Sequence, residues 1–295
     1  MDDGEYYQPE PDPECRAEFM QMDEMKVQQH HVEILQEEVE ELAMRGKRLR
    51  SAAVGAGICQ SVAVLCSSYL VFAIRWMLLD WDMIDKTIYN IQSNWIFWNV
   101  GVLAEIVGCV SNTLVGVLVG MIMIGAGVNP ASCSLIILFK LMEQVIVAIA
   151  IIAMIMVGIF VYEDNAMSTT IKYYFYSDSF PQIGMQISFF LLLLNKYGII
   201  FSHVFAGLHY SFLGFIVHKF GVFPHKLGKA MLLAGPCYII NAGLNLLISR
   251  YNDQLHVFFA LPGILVQFWL ASWLLINTPS PSKNRETVMK GFNNM

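Results

Sequence analysis

The chain has 295 residues, of which 56% are hydrophobic and 14% are charged, whereas typical soluble domains carry about 25% charged residues. Because about 20 consecutive apolar residues cross a bilayer core, the several apolar runs exclude a soluble globular protein. They predict an integral, multi-pass membrane protein whose surroundings are the lipid bilayer.

The net charge of −6 is unevenly distributed along the chain. Residues 1–44 carry 14 acidic and two basic side chains, a balance of −12, while the remaining 251 residues carry 16 basic and 10 acidic side chains, a balance of +6. An acidic segment ahead of a basic membrane body argues against a nucleic-acid partner and against adhesion of this segment to anionic lipid.

The acidic region has two parts. Residues 1–14 are acidic and contain proline, which predicts a disordered tail. Residues 15–50 predict a cytosolic amphipathic helix, because apolar residues recur at a spacing of three or four. These apolar residues are Val32, Leu35, Val39 and Leu42. The pattern fits either a protein-binding helix over residues 15–44 or a solvated extension of the first span.

Apolar runs predict an all-α fold, a bundle of six transmembrane helices that follows the N-terminal cytosolic helix. The six predicted spans are 52–79, 95–125, 135–162, 197–219, 228–249 and 257–277. The sequence NKYG at 195–198 predicts a break, so we expect residues 183–194 to form a short re-entrant or interfacial helix. The transmembrane domain is thus predicted over 51–277, and a cytosolic C-terminal tail over 278–295.

The distribution of basic residues predicts the orientation. Ten Lys and Arg residues flank the predicted spans on the side of the N-terminus, and at most five lie on the other side. The positive-inside rule therefore places both termini in the cytosol. Organellar presequences are Arg-rich and poor in acidic residues, so the acidic N-terminus favours the plasma membrane or endomembranes over organellar membranes.

Four stretches resemble one family of membrane proteins. FKLMEQ (139–144) resembles an F-R-x-x-E element, and GLHYSFLGFIVHKFGVFPHKLG (207–228) resembles a G-x₆-G helix followed by P-R-x-L-G. LLAGPCYII (232–240) and WLASWLLIN (269–277) are similar to its later segments. The family is the domain of unknown function 4386, and the resemblance implies a six-helix bundle without established catalytic residues. His225 replaces the Arg that follows the proline in the family pattern.

Lys140 and Glu143 lie three residues apart in an otherwise apolar run, and therefore on one face of a helix. Lys140 lies five residues inside the predicted span, where a lysine stem can reach the headgroups. The pair is either a helix-end pair with Lys140 in water, a structural clamp to another helix, or part of a transport or catalytic site.

Glu105 lies about 15 Å along its predicted span, near the membrane midplane, where an ionised side chain is costly. We expect it to be protonated, paired or facing a wet cavity. Polar residues on other spans predict a cluster with it that binds an ion, a proton or a lipid headgroup, or that only joins helices by hydrogen bonds. The candidate cluster is Glu105, Asn112, Lys140, Glu143, His209, Asn241 and Asn245.

The sequence favours a non-enzymatic membrane protein. It lacks H-E-x-x-H, G-x-S-x-G and Walker motifs, so we expect no catalytic site. His203 and His209 are six residues apart and lie on different faces of a helix, so we expect no haem, and no other cofactor or metal. The favoured function is a subunit, scaffold or assembly factor of a membrane complex or of an oligomer of this chain. The alternative is a small transporter, channel or lipid-handling protein.

Overall fold

The computed structural model describes residues 13–70, 74, 76–79, 83–161, 180–247 and 253–277, in which all regular structure is helical. The helices are α1 (Pro13–Tyr69), α2 (Trp76–Leu78), α3 (Ile84–Ser93), α4 (Trp95–Gly125), α5 (Pro130–Val161), α6 (Phe180–Phe220), α7 (His225–Leu247) and α8 (Asp253–Ile276). Six of them include a segment long and apolar enough to cross a membrane. The predicted all-α fold with six spans is therefore confirmed.

The chain divides into two compact units, Met1–Arg48 and Leu49–Met295. In the first unit the described residues belong to α1, so a helix covers the part of 15–50 that lies there. The predicted tails lie outside the described residues, except for the start of α1 at Pro13.

The structure describes the first predicted span in parts. The apolar segment of α1 is Ala43–Tyr69, whereas the predicted span continues to residue 79. The short helix α2 falls in the final part of that prediction. The end of this predicted span at residue 79 stays a prediction, because residues 71–73 and 75 lie outside the described residues.

The predicted helix break at 195–198 is wrong, because α6 runs without interruption from Phe180 to Phe220. Asn195 donates a hydrogen bond from Nδ2 to the Ala150 carbonyl oxygen on α5, at 2.9 Å. A Cβ added to Gly198 would lie 3.2 Å from the Ala150 Cβ. The amide and the glycine thus pack α6 against α5, and neither is needed to end the helix.

Two glycines with positive φ end helices where the chain reverses direction. Gly127 (φ 92°) follows α4 and Gly221 (φ 67°) follows α6. After α4, the Val128 amide donates to the Met123 carbonyl oxygen at 3.0 Å, which is the 6→1 bond of a Schellman motif. These short turns bring α4 against α5 and α6 against α7.

Glycines of the motif over 207–240 bring α6 and α7 into close contact. A Cβ added to Gly207 would lie 2.6 Å from the Gly235 carbonyl oxygen, and one added to Gly214 would lie 2.8 Å from that of Gly228. Such distances leave no room for a side chain. The glycines of the G-x₆-G spacing on each helix therefore lie where the two helices are in contact.

The bundle core consists of two apolar clusters. One contains Trp98 on α4, Met154 on α5 and Leu192 on α6. The other contains Val115 on α4, Ile136 on α5 and Tyr210 on α6, which are its members nearest to the first cluster along each of these helices. Polar residues lie between the clusters along these three helices, and we call them the polar layer. It includes Glu105, Cys109, Lys140, Glu143, Gln144, His203 and His209.

Candidate functional site

The centre of the polar layer is an ion pair on α5. Lys140 donates from Nζ to both carboxylate oxygens of Glu143, each at 3.0 Å. Gln144 donates from Nε2 to Glu143 Oε1 at 2.9 Å. Glu143 thus has two donors on its own helix, and both belong to the FKLMEQ motif.

Lys140 does not reach for water as the sequence suggested. The residue is only 3% exposed, and α5 begins at Pro130, so Lys140 lies about 15 Å along the helix. The Lys140 stem instead packs against Gly116 of α4, where an added Cβ would lie 2.5 Å from Lys140 Cγ and 2.9 Å from its Cβ. The absent side chain at Gly116 and the counter-charge of Glu143 together explain why this lysine is buried.

Helix α4 contributes a thiol and a second carboxyl group to the polar layer. Cys109 lies close enough to Glu105, Glu143 and Lys140 to interact with them electrostatically, and its Sγ donates to the Gln144 carbonyl oxygen at 3.6 Å. Glu105 is 5% exposed and lies one turn before Cys109. The same helix carries Asn112, which is half-buried.

His209 joins α6 to α5. Its Nδ1 lies 3.0 Å from the Ile136 carbonyl oxygen, and because a carbonyl oxygen can only accept, Nδ1 donates this hydrogen bond. Lys140 is near enough to act on the imidazole electrostatically. The structure therefore brings Lys140, Glu143 and His209 together, as three members of the predicted cluster.

Three residues near the ion pair were absent from the sequence prediction. The Tyr210 and Tyr238 rings stack with centroids 5.9 Å apart, and Glu143 acts electrostatically on both phenols. Gln267 of α8 donates from Nε2 to Tyr238 Oη at 3.1 Å. Gly263 on α8 provides space for the Tyr238 ring, since an added Cβ would overlap it. Tyr238 belongs to the quoted LLAGPCYII stretch, which could have drawn attention to it.

The two remaining members of the predicted cluster pair with each other on α7. Asn245 donates from Nδ2 to the Asn241 carbonyl oxygen at 2.8 Å and to Asn241 Oδ1 at 3.2 Å. Asn241 is buried and lies one turn beyond Tyr238. Whether all seven predicted residues share one cavity stays a prediction.

The arrangement is suited to holding helices together. Hydrogen bonds from Cys109, Asn195 and His209 end on backbone carbonyl oxygens of α5. Within the described residues, no group of three or more His, Cys, Asp or Glu side chains has the geometry to hold a metal ion. The polar layer contains two carboxyl groups, those of Glu105 and Glu143, and a carboxyl group can bind or release a proton.

The apolar helices and the charged pair buried within a span define a multi-pass helical membrane protein. The chain belongs to the family described as Domain of unknown function (DUF4386), whose model matches residues 56–277. The resemblance carried by the four sequence stretches is thereby confirmed.

Comparison with individual proteins adds a short match. An uncharacterized protein of Archaeoglobus fulgidus is 33% identical over 69 residues, which are 23% of this chain and 41% of the relative. The chain thus spans about two fifths of the length of this curated relative. No solved structure matches the chain.

Proposed function

We propose that the chain is a non-enzymatic subunit, scaffold or assembly factor of a membrane complex. The observation that carries this proposal is the use of buried polar groups for contacts between helices. Cys109, Asn195 and His209 each donate to a backbone carbonyl of α5 from a neighbouring helix. Such bonds contribute about 0.6–2 kcal/mol each and favour a rigid bundle that carries its function on its surface.

The proposed partner-binding element is the acidic helix over residues 15–44. In its described part, Glu37, Glu40 and Glu41 are exposed, and Ile34 is exposed among them. Acidic and apolar side chains on one short stretch match a protein surface that is basic and partly apolar. Repulsion from anionic headgroups favours such a protein partner over the membrane surface.

Affinity purification from native membranes tests this element. We expect the full-length chain to retain a partner that a version lacking residues 1–44 loses. A triple change of Glu37, Glu40 and Glu41 to Gln should weaken recovery, whereas the same three positions changed to Asp keep the charge and serve as the matched control. Recovery of no stable partner by any version contradicts the proposal.

The second candidate is a small transporter, channel or lipid-handling protein. The Lys140–Glu143 pair favours it, because charged residues inside membrane spans commonly lie on ion, proton or substrate paths. Flux into liposomes should then fall in Glu105→Gln and in Glu143→Gln relative to the unchanged protein. Absence of flux, or identical flux in all three proteins, counts against this function.

We also propose that both termini face the cytosol of a plasma membrane or endomembrane. The support is the excess of basic residues on the flanks that share the side of the N-terminus. A membrane-impermeant thiol reagent should label Cys15 only after sealed cells or vesicles are opened. Labelling in sealed, right-side-out membranes contradicts this orientation.

A further inference from the structure

The Lys140–Glu143 pair is unequal in how tightly its two members are held. The Lys140 side chain is 4% exposed and that of Glu143 is 12% exposed. Contact with Gly116 restrains the lysine stem near its root, because the closest stem atoms are Cγ and Cβ. Glu143 carries the larger open surface. A small ion that reaches the pair therefore meets Glu143 first.

Gln144 gives the site an acceptor that the ion pair does not use. Its Nε2 donates to Glu143 Oε1, while its own Oε1 is buried and has no hydrogen-bond partner among the described residues. The residue is 5% exposed, and a buried acceptor without a donor costs about 1–3 kcal/mol. A carboxylic acid at Glu143 would donate to Oε1 once the Gln144 amide turns over, and Nε2 would then occupy the buried position that Oε1 leaves.

Lys140 is the cation that the structure places in hydrogen-bond contact with Glu143. Cys109 on α4, Tyr210 on α6 and Tyr238 on α7 lie within electrostatic range of Glu143. These three side chains are neutral in their ordinary protonated forms. On α6, the imidazole of His209 lies beside Lys140, so any charge on it would oppose the ammonium.

We propose that Glu143 is a proton-binding site, with Gln144 shaped to serve both of its protonation states. On acidification, one proton binds a carboxylate oxygen of Glu143 and the ion pair loses its negative member. The new O–H then donates to Gln144 Oε1, which replaces the bond that Gln144 Nε2 donates to the carboxylate. Lys140 then loses the carboxylate that accepts both of its hydrogen bonds, so the contact between its stem and α4 loosens. This inference rests on the second candidate function and names the proton as its ligand.

Infrared difference spectroscopy of the full-length protein in lipid nanodiscs tests the site directly. Spectra are compared between about pH 8 and about pH 3, which brackets the ordinary titration range of glutamate. We expect a protonated-carboxyl band that disappears in Glu143→Gln and persists in Glu105→Gln, the matched buried carboxyl on α4. In Lys140→Met the band should already be present at the higher pH.

A second set of variants keeps the test decisive if Glu143→Gln does not fold. Glu143→Asp retains the carboxyl group and should shift the band, and Gln144→Leu should shift it by removing the acceptor. A spectrum without a carboxyl band, or a band that none of these changes alters, overturns the proposal. A Glu143 band in a protein without liposome flux sustains the proton site and removes the transport function, whereas flux without the band does the reverse.

Discussion

Replacing Lys140 by Met tests whether the ion pair is sealed inside the bundle. Met retains the first carbons of the stem, so the contact with Gly116 is kept and the charge is what changes. Removing one partner of a buried pair costs about 3–5 kcal/mol, whereas an exposed pair contributes about 0–1 kcal/mol. With Lys140 at 3% exposed, we expect the larger loss in the free energy of unfolding.

The double variant Lys140→Met with Glu143→Gln isolates the pairwise contribution. It removes both charges and should lie within about 1 kcal/mol of the unchanged protein, because neutral replacements of buried pairs are often tolerated. The loss in Lys140→Met alone should shrink as pH falls, since the unpaired carboxyl of the folded variant already holds a proton that the unfolded chain takes up only in acid. The loss in the free energy of unfolding is therefore largest at neutral and alkaline pH.

Equilibrium unfolding in mixed detergent micelles, repeated across pH, measures these free energies. Lys140→Leu, a second neutral apolar replacement, controls for changes in packing. A loss below about 1 kcal/mol in Lys140→Met, or a double variant equal to the sum of the single variants, would refute a buried and coupled pair.

Three further predictions use the same unfolding measurement. Gly116→Ala should cost about 1–3 kcal/mol more than Gly243→Ala, because its Cβ would meet the Lys140 stem whereas Gly243 has nothing within 4 Å; equal values would contradict this contact. The loss in the free energy of unfolding for Gly235→Ala should exceed the loss for Gly243→Ala by at least about 2 kcal/mol, because the added Cβ would meet backbone atoms of α6. A smaller loss would mean that α6 and α7 separate easily. His209→Leu should cost about 0.6–2 kcal/mol through its bond to α5, and an unchanged stability would exclude that bond.

The apolar runs were sufficient to predict the six spans, but they did not predict that α6 is continuous. Long apolar runs identify helices in a bilayer because an unpaired backbone cannot lie in hydrocarbon. The NKYG stretch looked like a break for the ordinary reasons that Asn and Gly end helices. In the structure both residues contact α5 instead. Asn195 donates to a backbone carbonyl oxygen of α5, and Gly198 lies close to an α5 side chain. Local signals cannot report such a partner from another helix.

Part of the candidate site could also be anticipated. The spacing of Lys140 and Glu143 on one helix was sufficient to predict their pairing. The burial of the pair depends on Gly116, and the neighbours Tyr238 and Gln267 come from α7 and α8. Since these residues are far apart along the chain, no spacing rule relates them.

The sequence by itself determined that this protein is a helical membrane protein with six spans and a charged pair on one face of a helix. It did so because hydrophobic length and helical periodicity are local properties. Only the tertiary structure decided that the pair is buried and has its lysine wedged against α4. The physical reason is that burial and counter-charge depend on which helices pack together, and glycines on neighbouring helices set how closely they approach.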